Sequence, residues 1–407
     1  MNDIAERYVK LVLDVGQHDA DYVDAFYGPP EWKEAASRHR RPLQDLAAEA
    51  RSLVSQVPST QSDADELVEL RRQYLRRQLE SLATRVQMLN GTRLTFDEES
   101  QALYDAVAPV HAASDFEHVL RELEALLPGS GPIIDRYDRF RQDFIIPTDR
   151  LSRVFERAIE ECRSRTARYI PLPAGETFKV EYVTNKAWSG YNWYQGGYHS
   201  LIQVNTDLPI YIDRAVDLAC HEGYPGHHVY NALLEKHLVR DRGWQEFTVY
   251  ALFSPQSLIA EGTANFGIEV TFPGEQRTAV ERDVLFPLAG LDATRASTYY
   301  RALALADRLA YAGNEAARGY LNGSMTRDQA ADWLTTYALM SRPRAEQRTR
   351  FIDQYRSYVI NYNLGKDLVK TYIEARAAGS SERRWSEFTR LISSPRLPSA
   401  LQNGARQ

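Results

Sequence analysis

Alternation of apolar and polar side chains with a period of two, the pattern of a half-buried β-strand, is confined to one short stretch of this 407-residue chain. The alternating residues are Phe178, Val180 and Tyr182, then Tyr198, Ser200, Ile202 and Val204. Apolar residues elsewhere recur at helical spacing, as they do at Ile4, Tyr8 and Leu11. We therefore predict a mainly α fold, with one small antiparallel β-sheet between about residues 177 and 206.

The change of pattern near Pro171 also predicts how the chain is organised. Residues 1–170 are expected to form an N-terminal helical region. Residues 171–395 are expected to hold the small sheet, the functional site and the C-terminal helices. Capping boxes at Thr95/Glu98, Ser114/Glu117 and Thr326/Gln329 predict helix starts. Residues 396–407 are expected to be a frayed tail.

The overall composition excludes several classes of protein. The net charge is −6 and the pI is about 5.9, whereas nucleic acid or an anionic membrane requires a basic face. Cys162 and Cys220 are the only cysteines, which is too few for a disulfide framework. The first 15 residues lack an apolar signal core, and no apolar run is long enough to span a bilayer. A cytoplasmic protein without a nucleic-acid or membrane partner is the expectation.

The segment from His221 to His228 is the part of the sequence that indicates chemistry. It reads His-Glu-Gly-Tyr-Pro-Gly-His-His. Neutral imidazoles hold zinc, and a carboxylate beside them can take a proton from an activated water molecule. We therefore expect a zinc site with His221 as a ligand and Glu222 as the general base.

The spacing of these histidines poses a geometric problem. On a regular helix His221 and His227 would lie about 9 Å apart along the axis, too far to share one ion. Pro225 has no amide proton and clashes with the preceding turn, so the helix must kink or bulge there. Gly226 tolerates the backbone angles that follow. Spacing alone does not decide whether His227 or His228 is the second ligand.

The pattern His-Glu-x-x-Pro-Gly-His resembles the motif of a bacterial family catalogued as domain of unknown function eight-eight-five. The match runs from Gly196 to Glu269 and includes a downstream Glu261-Gly262 pair. The resemblance implies a zincin-like helical body with its small sheet beside the metal-binding helix. It also implies His227 and Glu261 as the remaining ligands. This chain departs from the family at Thr263, where tryptophan is usual, and at Glu269, which lies one residue off the usual spacing.

A second segment that resembles the family, an echo of its pattern, lies near the C-terminus and reads Tyr358-Val-Ile-Asn-Tyr362-Asn-Leu-Gly365. A transition-state oxyanion needs a donor, and a phenol or a guanidinium suits it. Through this echo Tyr362 and Arg356 are the candidate catalytic donors. The strand from Tyr198 to Asn205 could pair with an extended peptide by edge addition.

These residues predict a zinc metallohydrolase, with a metallopeptidase as the first hypothesis and a peptide or small amide as substrate. A metal-dependent amidase acting on a non-peptide substrate is the second hypothesis. An inactive metal-binding helical protein is the third, and Glu222 speaks against it because such a protein needs no carboxylate there. The sequence leaves the oligomeric state open.

Overall fold

The computed structural model describes residues 1–59, 65–186 and 188–404, and helices dominate all three ranges. The helices are α1 (Asn2–Val15), α2 (Pro30–Arg38), α3 (Leu43–Gln56), α4 (Glu66–Leu89), α5 (Phe96–Tyr104), α6 (Ala113–Leu126), α7 (Ile133–Gln142), α8 (Leu151–Thr166), α9 (Asp213–Leu218), α10 (His227–Leu234), α11 (Pro255–Thr271), α12 (Gln276–Val280), α13 (Phe286–Ala289), α14 (Ala296–Asp307), α15 (Ala312–Leu321), α16 (Arg327–Tyr337), α17 (Arg342–Tyr355), α18 (Ile360–Ala377), α19 (Ser381–Ile392) and α20 (Pro398–Gly404). The strands are β1 (Val23–Phe26), β2 (Thr177–Val183), β3 (Gly190–Gly196), β4 (His199–Asn205) and β5 (Val249–Ala251). The prediction of a mainly α fold is confirmed.

Shorter helical segments join several of these elements. Wide π-helical turns occur at Ala219–Gly223, Glu235–Arg240 and Glu281–Leu285. Tight 3₁₀ turns occur at Thr148–Arg150, Gln245–Thr248, Ala293–Arg295 and Arg356–Val359. No described helix is both long and apolar enough to cross a membrane.

Helix starts follow the predicted caps in two cases out of three. Thr95 with Glu98, and Thr326 with Gln329, form reciprocal capping boxes at the starts of α5 and α16. The third prediction, Ser114 with Glu117, is wrong. Helix α6 begins at Ala113, and Asp115 instead accepts the backbone N–H of Ala112 at 3.0 Å. An aspartate two residues before Glu117 satisfies the free amide and moves the helix start.

The small sheet occupies the predicted stretch of chain. Strands β3 and β4 form an antiparallel hairpin, joined by a two-residue turn in which Gly197 and Tyr198 both have positive φ. Strand β2 pairs with the other edge of β4 and runs parallel to it, so the sheet order is β2-β4-β3. The antiparallel expectation therefore holds for the hairpin and fails for β2, because the link after β2 carries the chain across to the far edge. The central position of β4 also rules it out for edge addition.

A second sheet was not predicted. Strand β1 pairs antiparallel with β5, although more than 220 residues separate them in sequence. All four β1 residues are half-buried, so the strand shows no alternation that could have revealed it. The pair joins the N-terminal region to the segment that leads into α11.

Two large hydrophobic cores cross the expected boundary at residue 170. One joins the N-terminal helices to β5, the start of α11 and the start of α18. The other joins α8 to the helices from α9 onward and to the small sheet. The expected frayed tail is corrected in its described part, because Leu397 and Leu401 are buried in the second core and residues Pro398–Gly404 form α20. Residues 405–407 of that tail lie outside the described residues.

Candidate metal centre

The predicted distortion of the metal-binding helix is present. Helix α9 continues into the π turn Ala219–Gly223, which carries His221 and Glu222. Wide turns of this kind inside helices are frequent at functional sites. The turn ends at Tyr224, whose extended backbone (φ −117°, ψ 111°) leads into Pro225. The helical path is thereby broken between the two histidines, as Pro225 predicted.

Gly226 permits the close approach that brings the chain back. Its N–H donates to the carbonyl of Cys220 at 2.9 Å. A Cβ at this position would lie 1.8 Å from the carbonyl oxygen of His221, so any other residue would collide with the backbone. Helix α10 then begins at His227, whose ring lies 4.7 Å from that of His221 between centroids.

Three ligand atoms converge on one point. The Nε2 atoms of His221 and His227 lie 3.1 Å apart, and Glu261 Oε2 lies 3.3 Å and 3.9 Å from them. Tetrahedral zinc with bonds of about 2.0–2.1 Å needs ligand atoms about 3.3 Å apart. Oε2 is buried and has no hydrogen-bond partner, as expected of an atom that faces a cation. The donor set and its spacing fit a zinc ion.

The three side chains are not sealed from solvent. The exposed fractions are 15% for His221, 12% for His227 and 9% for Glu261. A catalytic zinc site keeps one coordination position open for water or substrate, whereas a structural site closes all four. An ion held by these three residues would thus have a coordination position left for a further ligand.

Tyr358 and Asn265 hold two of these ligands in place, and sequence analysis missed both. The Tyr358 hydroxyl donates to Glu261 Oε1 at 2.8 Å. Asn265 Oδ1 lies 3.1 Å from His221 Nδ1, and its amide donates to the Tyr362 carbonyl at 3.1 Å. Such partners fix the orientation of metal ligands. Asn265 could have been found, since it lies one helical turn beyond Glu261.

The electrostatics of the metal-free site reflect crowding of charges. Burial would lower the pKa of His221, but the adjacent carboxylate of Glu261 and the charge of Glu222 raise it to about 9. Burial and the neighbouring His221 lower the pKa of His227 to about 4. Burial would raise the pKa of Glu261, but the close approach of His221 and the charges of both histidines lower it. One imidazole and the carboxylate thus form a charged pair that a cation would replace.

Glu222 lies beside the ligands without being one of them. Its side chain packs against the start of β3, where a Cβ on Gly190 would lie 3.1 Å from its Oε1. Asn192 of the same strand donates to its backbone carbonyl at 2.7 Å. Burial raises the pKa of Glu222 to about 7, with Glu261 adding to the rise and His221 opposing it. The start of β3 therefore packs against a buried carboxyl group whose pKa is raised toward neutrality.

His228 is oriented away from this centre. Its ring is fully buried between Ser200, 2.9 Å from Nδ1, and Glu176, 3.0 Å from Nε2. Both nitrogens are thus occupied within the protein. Of the two histidines that spacing left open, His227 is the one whose ring nitrogen groups with His221 and Glu261 in the described chain.

The two candidate donors differ in position. The charges of Glu261, Arg348 and Glu222 all act on the Tyr362 hydroxyl, so Tyr362 lies beside the centre. Arg356 instead donates Nε–H to Glu99 at 2.6 Å, and Glu99 also accepts from Ser357. Within the described chain no hydrogen bond or ion pair joins Arg356 to the three candidate ligands, so its role as a donor stays a prediction.

A further carboxylate, Asp24 on β1, comes from the N-terminal region. It accepts a hydrogen bond from the Tyr191 hydroxyl. Burial raises its pKa to about 7, and the charge of Glu261 adds to that rise. No sequence pattern indicated this residue, because only the β1–β5 pairing brings it to the centre.

Comparison with known proteins yields a fold likeness. No protein-family model matches the chain, and neither does any curated protein. A solved structure of a candidate lipoprotein from Colwellia psychrerythraea aligns with a TM-score of 0.55 at 15% identity, over 89% of this chain and 69% of that one. A candidate lipoprotein of unknown function from Shewanella oneidensis gives 0.48 at 14%, over 92% and 76%. A protein named BsuCP gives 0.46 at 10%, over 99% and 90%. At these identities the first likeness concerns the fold alone.

Proposed function

We propose that this chain is a zinc-dependent hydrolase that cleaves peptide bonds. The observation that carries the proposal is the convergence of His221, His227 and Glu261 on one point, with Glu222 directly after the first ligand. Two imidazoles and a carboxylate are the ligand set of several catalytic zinc sites. A zinc ion held there would acidify a bound water molecule to a pKa of about 7 and polarise the substrate carbonyl.

Glu222 supplies the proton transfer in this proposal. It takes a proton from the attacking water and passes it to the leaving amine, so the hydroxyl ends on the acyl carbon as the C–N bond breaks. A group with a pKa near the working pH does both steps well. The burial that brings the pKa of Glu222 to about 7 in the metal-free protein is consistent with that role.

Tyr362 is the proposed donor to the negative oxygen that develops on the substrate. Burial and the charge of Glu261 raise the pKa of its phenol well above the ordinary value. The hydroxyl therefore keeps its proton at neutral pH and can donate it in a hydrogen bond. Tyr358 and Asn265 support the ligands and take no proton from the substrate.

The geometry of the sheet favours an extended peptide as substrate. β3 is an outer strand of its sheet and begins against Glu222. The backbone groups on its outer edge can pair with an extended chain, which would hold a scissile bond near the general base. This assigns to β3 the edge role that sequence analysis gave to β4.

The test begins with metal analysis and a peptide screen. Protein purified without chelator should contain about one zinc per chain. The zinc-loaded protein should hydrolyse members of a set of dipeptides and N-acylated or C-amidated short peptides. A protein that neither retains nor takes up zinc, or that cleaves nothing in the set, contradicts the proposal.

Variants of three glutamates then separate their roles. Glu222→Gln should lower kcat by about 10²–10⁴-fold while zinc content stays nearly unchanged. Glu261→Gln should lower both zinc affinity and rate. Glu269→Gln is the matched control, because this residue lies on α11 but pairs with Lys366 and Lys370. If Glu222→Gln keeps most of the wild-type rate, another group is the base.

A further inference from the structure

Arg348 is a cation without an anion. It lies on α17, with its guanidinium carbon 4.8 Å from the ring centroid of Phe351 and 5.9 Å from that of Tyr362. Among the described residues it has no hydrogen bond and no ion pair, and its Nε is buried without a partner. The side chain is half-buried, so the part of the guanidinium that solvent reaches is the pair of terminal nitrogens.

Other deeply placed arginines in the described chain are neutralised. Arg71 is held by Glu246 at 2.6 Å, and Arg277 lies 2.8 Å from Asp217. A charge removed from water is costly unless a counter-charge accompanies it. Burial lowers the pKa of Arg348, and no carboxylate opposes that effect. The described chain therefore leaves Arg348 without a counter-charge, and its solvent-facing terminal nitrogens are the place where an anion from outside the chain could bind.

The position of Arg348 ties that place to the metal centre. Four aromatic side chains in mutual contact lie between them and are called the aromatic box: Phe351, Tyr355, Tyr358 and Tyr362. At one end of the box Tyr358 bonds to the ligand Glu261. At the other end Arg348 stacks on two of the rings. Tyr362 contacts both ends of this path, because its ring lies 5.7 Å from that of Tyr358 between centroids and 5.9 Å from the Arg348 guanidinium carbon.

We propose that Arg348 binds the free C-terminal carboxylate of a peptide substrate, so that the enzyme removes residues from the C-terminus. A guanidinium presents two parallel N–H donors that match a carboxylate. Every linear peptide carries that carboxylate at one end only, whereas its internal residues carry one only at Asp or Glu. The proposal rests on the proposed hydrolase function and adds the substrate class.

A pair of substrates tests the specificity. N-benzoyl-glycyl-phenylalanine and its C-terminal amide share the same scissile bond and differ only in the terminal group. Wild-type zinc enzyme should have a kcat/KM about 10²-fold higher for the acid, the size of a charged hydrogen-bonded contact. Arg348→Met should lower the value for the acid by about that factor, mainly through KM, and leave that for the amide within about twofold.

Two further variants control for structure. Arg348→Lys keeps the charge without the planar fork and should restore part of the preference for the acid. Arg350→Met removes an exposed arginine from the same helix and should leave kcat/KM unchanged for both substrates. An Arg348→Met enzyme that loses both substrates equally shows a packing role and overturns the proposal. The proposal is also overturned if the enzyme prefers C-amidated peptides with an internal Asp or Glu over those without one, because the side-chain carboxylate would then be the group recognised.

A binding measurement keeps this inference separate from the hydrolase proposal. Metal-free protein is titrated with N-acetyl-phenylalanine and with its amide, so the bound metal cannot attract the carboxylate. The acid should bind more tightly than the amide, and Arg348→Met should abolish the difference. If this holds while no peptide is cleaved, carboxylate recognition stands and the hydrolase proposal falls. If peptides are cleaved without any dependence on the carboxylate or Arg348, the hydrolase proposal stands and this inference falls.

Discussion

Replacement of Tyr358 by phenylalanine removes one oxygen atom from the support of the metal site. The lost contact is the 2.8 Å hydrogen bond to Glu261 Oε1. The ring itself stays packed, with the rings of Tyr104 and Tyr362 at 5.9 Å and 5.7 Å between centroids. The change therefore isolates how far one hydrogen bond orients the carboxylate ligand.

The magnitude follows from the burial of this contact. A buried hydrogen bond to a charged group contributes about 1.5–3 kcal/mol, which corresponds to about 10–100-fold in an equilibrium constant. Removal of a residue that hydrogen-bonds to a metal ligand lowers metal affinity by about the same factor, 10–100-fold. We expect the zinc Kd of Tyr358→Phe to rise by this factor, because the unrestrained Glu261 must be ordered by the metal.

Competition with a coloured chelator measures the Kd, and thermal or urea unfolding provides a second readout. With free zinc at about 1,000 times the wild-type Kd, zinc adds about 4.1 kcal/mol to wild-type stability. The same zinc concentration should add only about 1.4–2.7 kcal/mol to the variant.

Tyr355→Phe is the matched control for this experiment. Its hydroxyl accepts a hydrogen bond from Gln354 rather than contacting a ligand. It should leave the zinc Kd unchanged. A Tyr358→Phe protein with wild-type zinc affinity would refute the supporting role, and Tyr358 would then have to act on the substrate or on packing.

Three further outcomes follow from the structure. His227→Ala should lose zinc and His228→Ala should keep it, as measured by metal content after dialysis; the reverse result would mean that the wrong imidazole faces the ion. At pH 7 zinc binding should release about one proton, since the pKa of His221 is about 9 in the metal-free protein. The zinc Kd should therefore rise about tenfold for each pH unit below 9. Calorimetry in buffers of different ionisation enthalpy measures the released proton, and a Kd that is constant from pH 7 to 9 would contradict the expectation. Gly262→Ala should lower the free energy of unfolding by about 1–3 kcal/mol or more through overpacking, whereas Gly313→Ala, in open space within α15, should be neutral or stabilising; equal effects would show that backbone contact is not the cause.

The sequence predicts those parts of this structure that local patterns govern. Alternation located β2 and β4 to within a few residues, since every second residue of β4 is buried. It did not indicate β3, whose glycine- and aromatic-rich sequence is typical of a connection. The pair Pro225 and Gly226 predicted the break in the helix, since their backbone constraints act within one turn. The position of β2 and the pairing of β1 with β5 were not predictable, because they depend on which distant segments meet.

The same distinction applies to the candidate site. The motif itself indicated His221 and Glu222. The family resemblance supplied His227, Glu261 and Tyr362, whereas the contact made by Tyr358 was not predicted. Tyr358 and Tyr362 lie in one short segment, and nothing in that segment tells which phenol reaches Glu261. Arg348 is an ordinary residue of an arginine-rich helix until the fold shows that it lacks a carboxylate. What makes it informative is the absence of a contact, and a sequence does not record contacts.

One helix crossing explains why these distant residues act together. Where α11 meets α18, a Cβ on Gly262 would lie 2.4 Å from the carbonyl oxygen of Gly365, and one on Gly365 would lie 2.7 Å from that of Leu258. The two backbones touch there because neither glycine has a side chain. Glu261 immediately precedes the contact, and Tyr358 approaches it from the other chain segment.

In addition to this backbone contact, a hydrogen bond from the Asn265 amide to the Tyr362 carbonyl spans the same helix crossing. The carboxylate ligand, its supporting phenol and the proposed donor are therefore placed by rigid backbone packing rather than by mobile side chains. Preorganisation of this kind is what electrostatic stabilisation of a transition state requires, because donors already in place need not reorient during the reaction.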